Sequence, residues 1–301
     1  SWVQLLSPAP YLQGPKMLRV LGLFQFRFPS EIGRLALLLL LILPGMASAE
    51  ALSIFDVHSH YKTEDAAVIS PQDVIRLMDE NNISHMVIVG EPPERALELS
   101  EQSSGRIIPL LGLYQSHEDK TSWMHDAGLP ERIRLGIQQG DYKGIGEIHI
   151  FEADKQSPVF REILQLANQH ELPVLLHGDR FVVKQAFKWF PGLIIFWAHL
   201  GEAPDTDLLE EMLIAYPNLY IDTSVRDVLM VKDGKLLPEW RALFMKFSKR
   251  FLVAIDTYYT PRWKIINKVT SSIRAWLSEL PNDVSRKLSH ENAADIFLEK
   301  F

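Results

Sequence analysis

The residues best suited to chemistry in this 301-residue chain stand directly behind short apolar runs. In FDVHSH, His58 and His60 lie two apart on an extended stretch. Side chains of a strand alternate, so both point the same way and reach one ion. In GIGEIHI, Glu147 sits inside an apolar strand, where a carboxylate is costly unless it is paired or binds a cation. The parity that turns Glu147 to an interior turns His149 there as well. His177 ends LPVLLH, His199 follows LIIFWA, and Asp256 ends FLVAID. Taken singly, each has a bland alternative as a hydrogen-bonded core residue. Together, HxH, Glu, His, His and Asp occupy five strand ends, while the remaining strands end without such a set. That convergence is the donor pattern of a catalytic divalent-metal site. The chain has no cysteine, so a metal must sit on His, Asp or Glu. Such donors suit zinc first, as one ion or two. Asp56 shares the parity of His58 and His60 and is expected one layer deeper, behind the ligands.

The elements that must position these residues alternate along the chain. Short apolar, β-branched runs occur at Ser53–Val57, His85–Val89, Ile107–Leu113, Gly144–Ile148, Pro173–Leu176, Leu193–Trp197, Leu219–Asp222 and Phe251–Ile255. Segments of helical spacing lie between them, among them Pro71–Asn82, Glu94–Ser103, Pro158–His170, Asp205–Tyr216, Pro238–Lys249 and Arg262–Leu280. Runs apolar on both faces suit parallel strands covered by helices. Eight of them predict an α/β fold, a (β/α)8 TIM barrel, with Asn282–Lys300 as an additional closing helix. In such a barrel the chemistry gathers at the C-terminal ends of the strands. No GxGxxG follows the first strand, which speaks against a dinucleotide site.

The N-terminal part reads as targeting sequence. Residues 1–16 precede the first methionine, Met17, and form an upstream extension without periodicity. Arg19, Arg27 and Arg34 then lead into the apolar run Leu35–Leu43, the breaker pair Pro44-Gly45, and Ala47-Ser48-Ala49. That order is a secretory signal peptide cleaved near Ala49. The expected layout is 1–49 as extension and signal peptide, and 50–301 as a single barrel domain. Export would place it in the periplasm or outside the cell, with no membrane span in the mature protein. With 31 basic against 38 acidic residues there is no basic surplus, so a nucleic-acid partner is not expected. A small-molecule substrate is, and a homo-oligomer is left open.

The motif set FDVHSH, GIGEIHI, LPVLLHGD, FWAHLGE, Asp256 and the closing LSHENAADIF resembles the amidohydrolase superfamily. It is most similar to the amidohydrolase-2 (amidohydrolase-related) family of metal-dependent hydrolases, over essentially the whole mature chain. The resemblance implies His58, His60 and His177 as metal ligands, and Asp256 as a ligand that also handles a proton. It implies His199 as a second-metal ligand or the histidine that polarises substrate. Strand four offers Glu147 where the phosphotriesterase-like branch has a carbamylated lysine. GIGEI and LPVLLH also look like the TatD-type metal nucleases, whose strand-four glutamate bridges two ions, so Glu147 either bridges two metals or orients a ligand.

The resulting expectation is hydrolysis of a C–N or C–O bond (amide, lactone or ester) by metal-activated water, with Asp256 and His199 catalytic. A metal-dependent decarboxylase and a non-catalytic ligand-binding barrel are the alternatives. Arg180, Arg226 and Arg262 fall in βα loops suited to a substrate carboxylate or phosphate, and His149 to substrate contact. The long segment Gln115–Pro130 reads as a lid, with His117 and His125 on its surface.

Overall fold

The computed structural model describes residues 51–201 and 204–298. The expected signal peptide and its cleavage near Ala49 lie outside these residues. Eight parallel strands follow one another: β1 (Ile54–Lys62), β2 (Ile83–Glu91), β3 (Ile107–Leu110), β4 (Ile145–His149), β5 (Val174–His177), β6 (Ile195–Trp197), β7 (Leu219–Asp222) and β8 (Phe251–Leu252). β1 to β3 form one ladder and β4 to β8 another. Backbone bonds join the two into a ring. Leu111 pairs with Ile145 between β3 and β4. On the other side Val57 N donates to Val253 O at 3.2 Å, and Asp256 N to His58 O at 2.6 Å. The chain is an α/β barrel.

Helices cover the strands as the apolar spacing predicts. They are α1 (Thr63–Ala66), α2 (Pro71–Glu80), α3 (Glu94–Glu101), α4 (Leu129–Gln139), α5 (Pro158–Gln169), α6 (Arg180–Trp189), α7 (Thr206–Ala215), α8 (Pro238–Lys246), α9 (Ile266–Leu277), α10 (Asn282–Arg286) and α11 (Asn292–Phe297). Their starts carry local signals. Ser70 caps α2 and Ser157 caps α5, each followed by proline, whose missing N–H costs nothing there. Asp179 and Asp205 cap α6 and α7 through their carboxylates. α5 buries the stripe Val159, Phe160, Ile163, Leu164 and Ala167. None of the described helices is long and apolar enough to cross a membrane.

Two apolar layers result. The larger lies between helices and strands. The smaller fills the lumen with Phe55, Val57, Val87, Leu110, Leu175, Phe196 and Leu252, and α11 plugs its lower end with Ile296 and Phe297. Asn292 fastens that plug, its side-chain amide donating to Ser248 O at 2.8 Å and Phe251 O at 2.9 Å. The lumen's upper end gathers carboxylates and five histidines, and there the chemistry is concentrated.

Candidate metal centre

Two irregularities in the strands turn the key side chains inward. Along β1 the register runs Asp56 to Met86 and then Ser59 to Ile88, so β1 carries one extra residue between them. A bulge of this kind reverses the alternation. Phe55 and Val57 face the lumen below it, and His58 and His60 face the lumen above it. Asp56 therefore does not share the parity of the histidines, contrary to a period-two reading. It lies in the seam with β8, where Oδ1 accepts from Ile255 N at 2.8 Å and Oδ2 from Ser59 Oγ at 2.6 Å. Burial raises its carboxyl to about 7 against the pull of those hydrogen bonds. β4 has a matching shift between Ile145 and Ile148, which brings Glu147 and His149 to the lumen side together. Gly146 makes this possible: its φ is +137°, and a Cβ would lie 2.4 Å from Leu175 O.

The donors converge into three overlapping groups, His58–Glu147–His199, His58–His60–Asp256 and Glu147–His149–His177, each with its ligand atoms within 4.8 Å of one another. Asp222 explains how they are oriented. Its Oδ2 is 3.0 Å from His58 Nδ1. Burial opposes its charge, but His58, His199 and Ser224 prevail and hold its carboxyl at about 2. His58 thus donates through Nδ1 and presents Nε2 to the lumen. Ser224 donates its hydroxyl to Asp222, so its oxygen accepts from His199 Nδ1 at 2.8 Å. His199 likewise presents Nε2.

These nitrogens point at other acceptors. His199 Nε2 is 3.3 Å from Glu147 Oε1, and His58 Nε2 is 3.6 Å from that same oxygen. His58 Nε2 is 3.2 Å from His60 Nε2, which is 3.4 Å from Asp256 Oδ1. Lone pairs so arranged repel unless a proton or a metal ion lies among them. Asp256 Oδ1 is buried and has no hydrogen-bond partner. Ligand atoms around a tetrahedral ion with bonds of about 2.0–2.1 Å stand ~3.3 Å apart, which is the spacing seen. The residues fit a divalent cation.

The charges agree. Burial pushes the His58 imidazole down, yet Asp256, Glu147 and Asp222 outweigh it and hold it well above the ordinary histidine range. Burial takes His60 well below that range. Glu147, despite burial, is held far below the usual carboxylate range by His149 and His58. Burial raises the Asp256 carboxyl. A surplus of carboxylate thus faces the point where the donors meet.

The outer edge of the cluster is formed by His149 and His177, whose rings stack at 4.2 Å. They contact Glu147 Oε2 at 2.7 Å and Oε1 at 2.8 Å respectively. The structure thus brings His58, His60, Glu147, His149, His177, His199 and Asp256 together. Arg180 and Arg226 lie outside the cluster. Arg180 is exposed and stacks over Phe181 at 4.9 Å. Arg226 is half-buried two residues beyond Ser224. Arg262 Nη2 donates to Ile255 O at 2.7 Å. The segment 115–130 is pinned down: Trp123 Nε1 donates to His149 O at 2.9 Å, and Met124 O accepts from Ser157 Oγ at 2.7 Å. His117 and His125 are exposed on it.

Strand seven corrects the sequence reading, since it too ends in a carboxylate. Asp222 after LYI meets the criterion that picked out Asp256. Ser224, Thr257 and Tyr114 also escaped it. Thr257 Oγ1 accepts from His60 N at 2.8 Å, and Tyr114 Oη from His149 N at 2.9 Å. Hydroxyls of this sort carry no signal until the strands are placed.

A family model, TatD related DNase, matches residues 55–187, a span that takes in the HxH motif, Glu147 and His177. Among solved structures, a protein of Acinetobacter baumannii described as a 2-pyrone-4,6-dicarboxylic acid hydrolase, with citric acid bound, is 15% identical. The match covers 81% of this chain and 99% of that one, with a TM-score of 0.55. The counterpart from Pseudomonas putida is 16% identical over 83% and 99%, with a TM-score of 0.56. The chain shares the barrel fold of these hydrolases. Amidohydrolase 2 from Bifidobacterium longum subsp. infantis has the same barrel at 17% identity, over 82% and 99%, with a TM-score of 0.53. No curated protein matches the chain.

Proposed function

We propose that this barrel belongs to the amidohydrolase superfamily and is a divalent-metal-dependent hydrolase that cleaves a C–N or C–O bond of a small molecule, an amide, lactone or ester, in the manner of the amidohydrolase-2 family. One observation carries the reading: buried acceptor atoms of five strands face one another with Asp256 Oδ1 unpartnered among them. His58, His60 and Asp256 would hold one ion, and Glu147, His177 and His199 a second, with zinc the first choice for these donors. When bound, such an ion lowers the pKa of water from about 15.7 toward ~7 and polarises the scissile carbonyl.

The side chains supply the rest. Asp256, whose carboxyl burial makes a better base, takes the proton from the attacking water and returns it to the leaving group. His199, held by Ser224, stands at the oxygen that gains charge. Asp222 fixes the His58 ring. His149, at the solvent edge of the cluster, contacts the substrate. Arg226, in the loop after β7, and Arg180, at the start of α6 behind β5, receive an anionic substituent. The Leu35–Leu43 run and Ala47-Ser48-Ala49 support export to the periplasm or beyond.

Phosphodiester hydrolysis is the second reading, favoured by the TatD match over 55–187. The net charge of −7 speaks against a polynucleotide substrate. The test is a panel of amides, lactones, carboxylic esters and phosphodiesters, run with zinc and with chelator. Chelator-reversible turnover of a carboxyl derivative is the expected result. Cleavage confined to phosphodiesters selects the second reading, and release of carbon dioxide marks a decarboxylase.

A further inference from the structure

Of the twelve exposed large apolar side chains among the described residues, six fall in the loops after β4, β7 and β8, and Phe181 opens α6 behind β5, at the polar end of the lumen. An ordinary surface scatters such residues singly. Here the six lie in the loops that leave the strand ends carrying Glu147, Asp222 and Asp256. Phe151, 43% exposed, meets His177 edge-to-face with ring centroids 6.1 Å apart. Val225 directly follows Ser224, the partner of His199, and has a φ of +62°. A β-branched residue rarely adopts that conformation, yet here it is held beside the site with its side chain partly open to water. Val228 and Leu229, in the same loop after β7, are 67% and 53% exposed. Tyr258, two residues past Asp256, is tied across to β1 by Lys62, whose Nζ donates to its carbonyl at 2.9 Å. In a ring of eight strands β4 and β8 stand opposite each other, so Phe151 and Tyr258 flank the cluster from opposite sides.

We propose that this apolar collar receives an acyl or aryl group of the substrate, so that the bond cleaved at the metal cluster belongs to an amphipathic carboxyl derivative. The inference rests on the hydrolase reading and narrows its substrate class. Each methylene that enters the collar adds to transition-state binding, and two of them are worth roughly tenfold.

The zinc-loaded full chain is assayed on 4-nitrophenyl esters with acyl chains of two to ten carbons, with and without chelator. A parallel measurement, free of catalysis, compares octanoate with acetate binding to the chelated protein by calorimetry. The expected result is chelator-sensitive kcat/KM rising at least tenfold from two to eight carbons, chiefly through KM, and octanoate binding at least tenfold tighter than acetate. Val228→Ser with Leu229→Ser, and separately Phe151→Ser, flatten the rise severalfold. Ile214→Ser, an equally exposed change on α7, leaves it as it was. Chelator-sensitive turnover that ignores chain length, with octanoate no tighter than acetate, overturns the collar and leaves the hydrolase standing. Absence of chelator-sensitive turnover on every ester, with octanoate no tighter than acetate, overturns the collar, and the amide and lactone arms of the panel then decide the hydrolase reading.

Discussion

Asp222 makes no use of solvent: both oxygens are taken up by His58, by the His199 backbone and by Ser224. It decides which nitrogen His58 offers, and through Ser224 which nitrogen His199 offers. Removing its charge while keeping its shape should loosen the metal without unfolding the barrel. We expect Asp222→Asn to weaken zinc binding by about 10–100-fold in a competition titration. Unchanged affinity would show that the ring orientations are set elsewhere. Asp256 is proposed to play a different part, its buried and unpartnered oxygen serving the ion and the proton. Asp256→Asn should bind metal more weakly and lower kcat by at least ~100-fold, read from steady-state kinetics at saturating zinc. A near-wild-type kcat would remove it from the proton path. At this scale residue types were legible and partners were not. His58, His60, Glu147, His177, His199 and Asp256 announce themselves as polar groups behind apolar runs. Asp222 does so equally, but its role as a hydrogen-bond acceptor for a histidine on β1 depends on β7 lying close by.

Strands and helices were largely readable because the apolar runs and caps are local signals. Bulges are not. The extra residue in β1 exists only relative to β2, and that in β4 only relative to β5, so alternation counted along one segment misplaces Asp56. The bulge in β4 depends on Gly146. Gly146→Ala would press a Cβ against the Leu175 carbonyl in a conformation only glycine enjoys. The expected cost is about 2–4 kcal/mol of unfolding free energy, measured by denaturant titration, with loss of bound metal as Glu147 shifts. A change below the error of that titration would mean that the strand relaxes freely.

For the molecule as a whole, one end of the lumen is apolar and plugged, and the other gathers carboxylates and histidines. The plugged end has its own titration. Phe55 lies 4.8 Å from His85 and 5.8 Å from His290. Burial first, then the mutual presence of the two rings, lowers the His85 pKa, while burial lowers that of His290. A lowered folded pKa means that the unfolded chain binds these protons more readily. Stability is therefore complete above the unfolded value near 6.5 and declines as pH falls below it toward the folded values. The double change His85→Phe, His290→Phe should lose less melting temperature than wild type between pH 7 and pH 5. Parallel losses would place the acid sensitivity elsewhere. An ion held as proposed would stabilise the opposite end, and zinc at a hundredfold excess over its dissociation constant should add about 2.7 kcal/mol.

Metal content per chain is the most direct test of the whole account. Full-length protein equilibrated with zinc and then desalted should retain one to two equivalents, and His58→Ala and Asp256→Ala should retain clearly less while keeping the wild-type circular dichroism. A folded wild-type chain that holds no metal, or variants that hold as much as wild type, would contradict it.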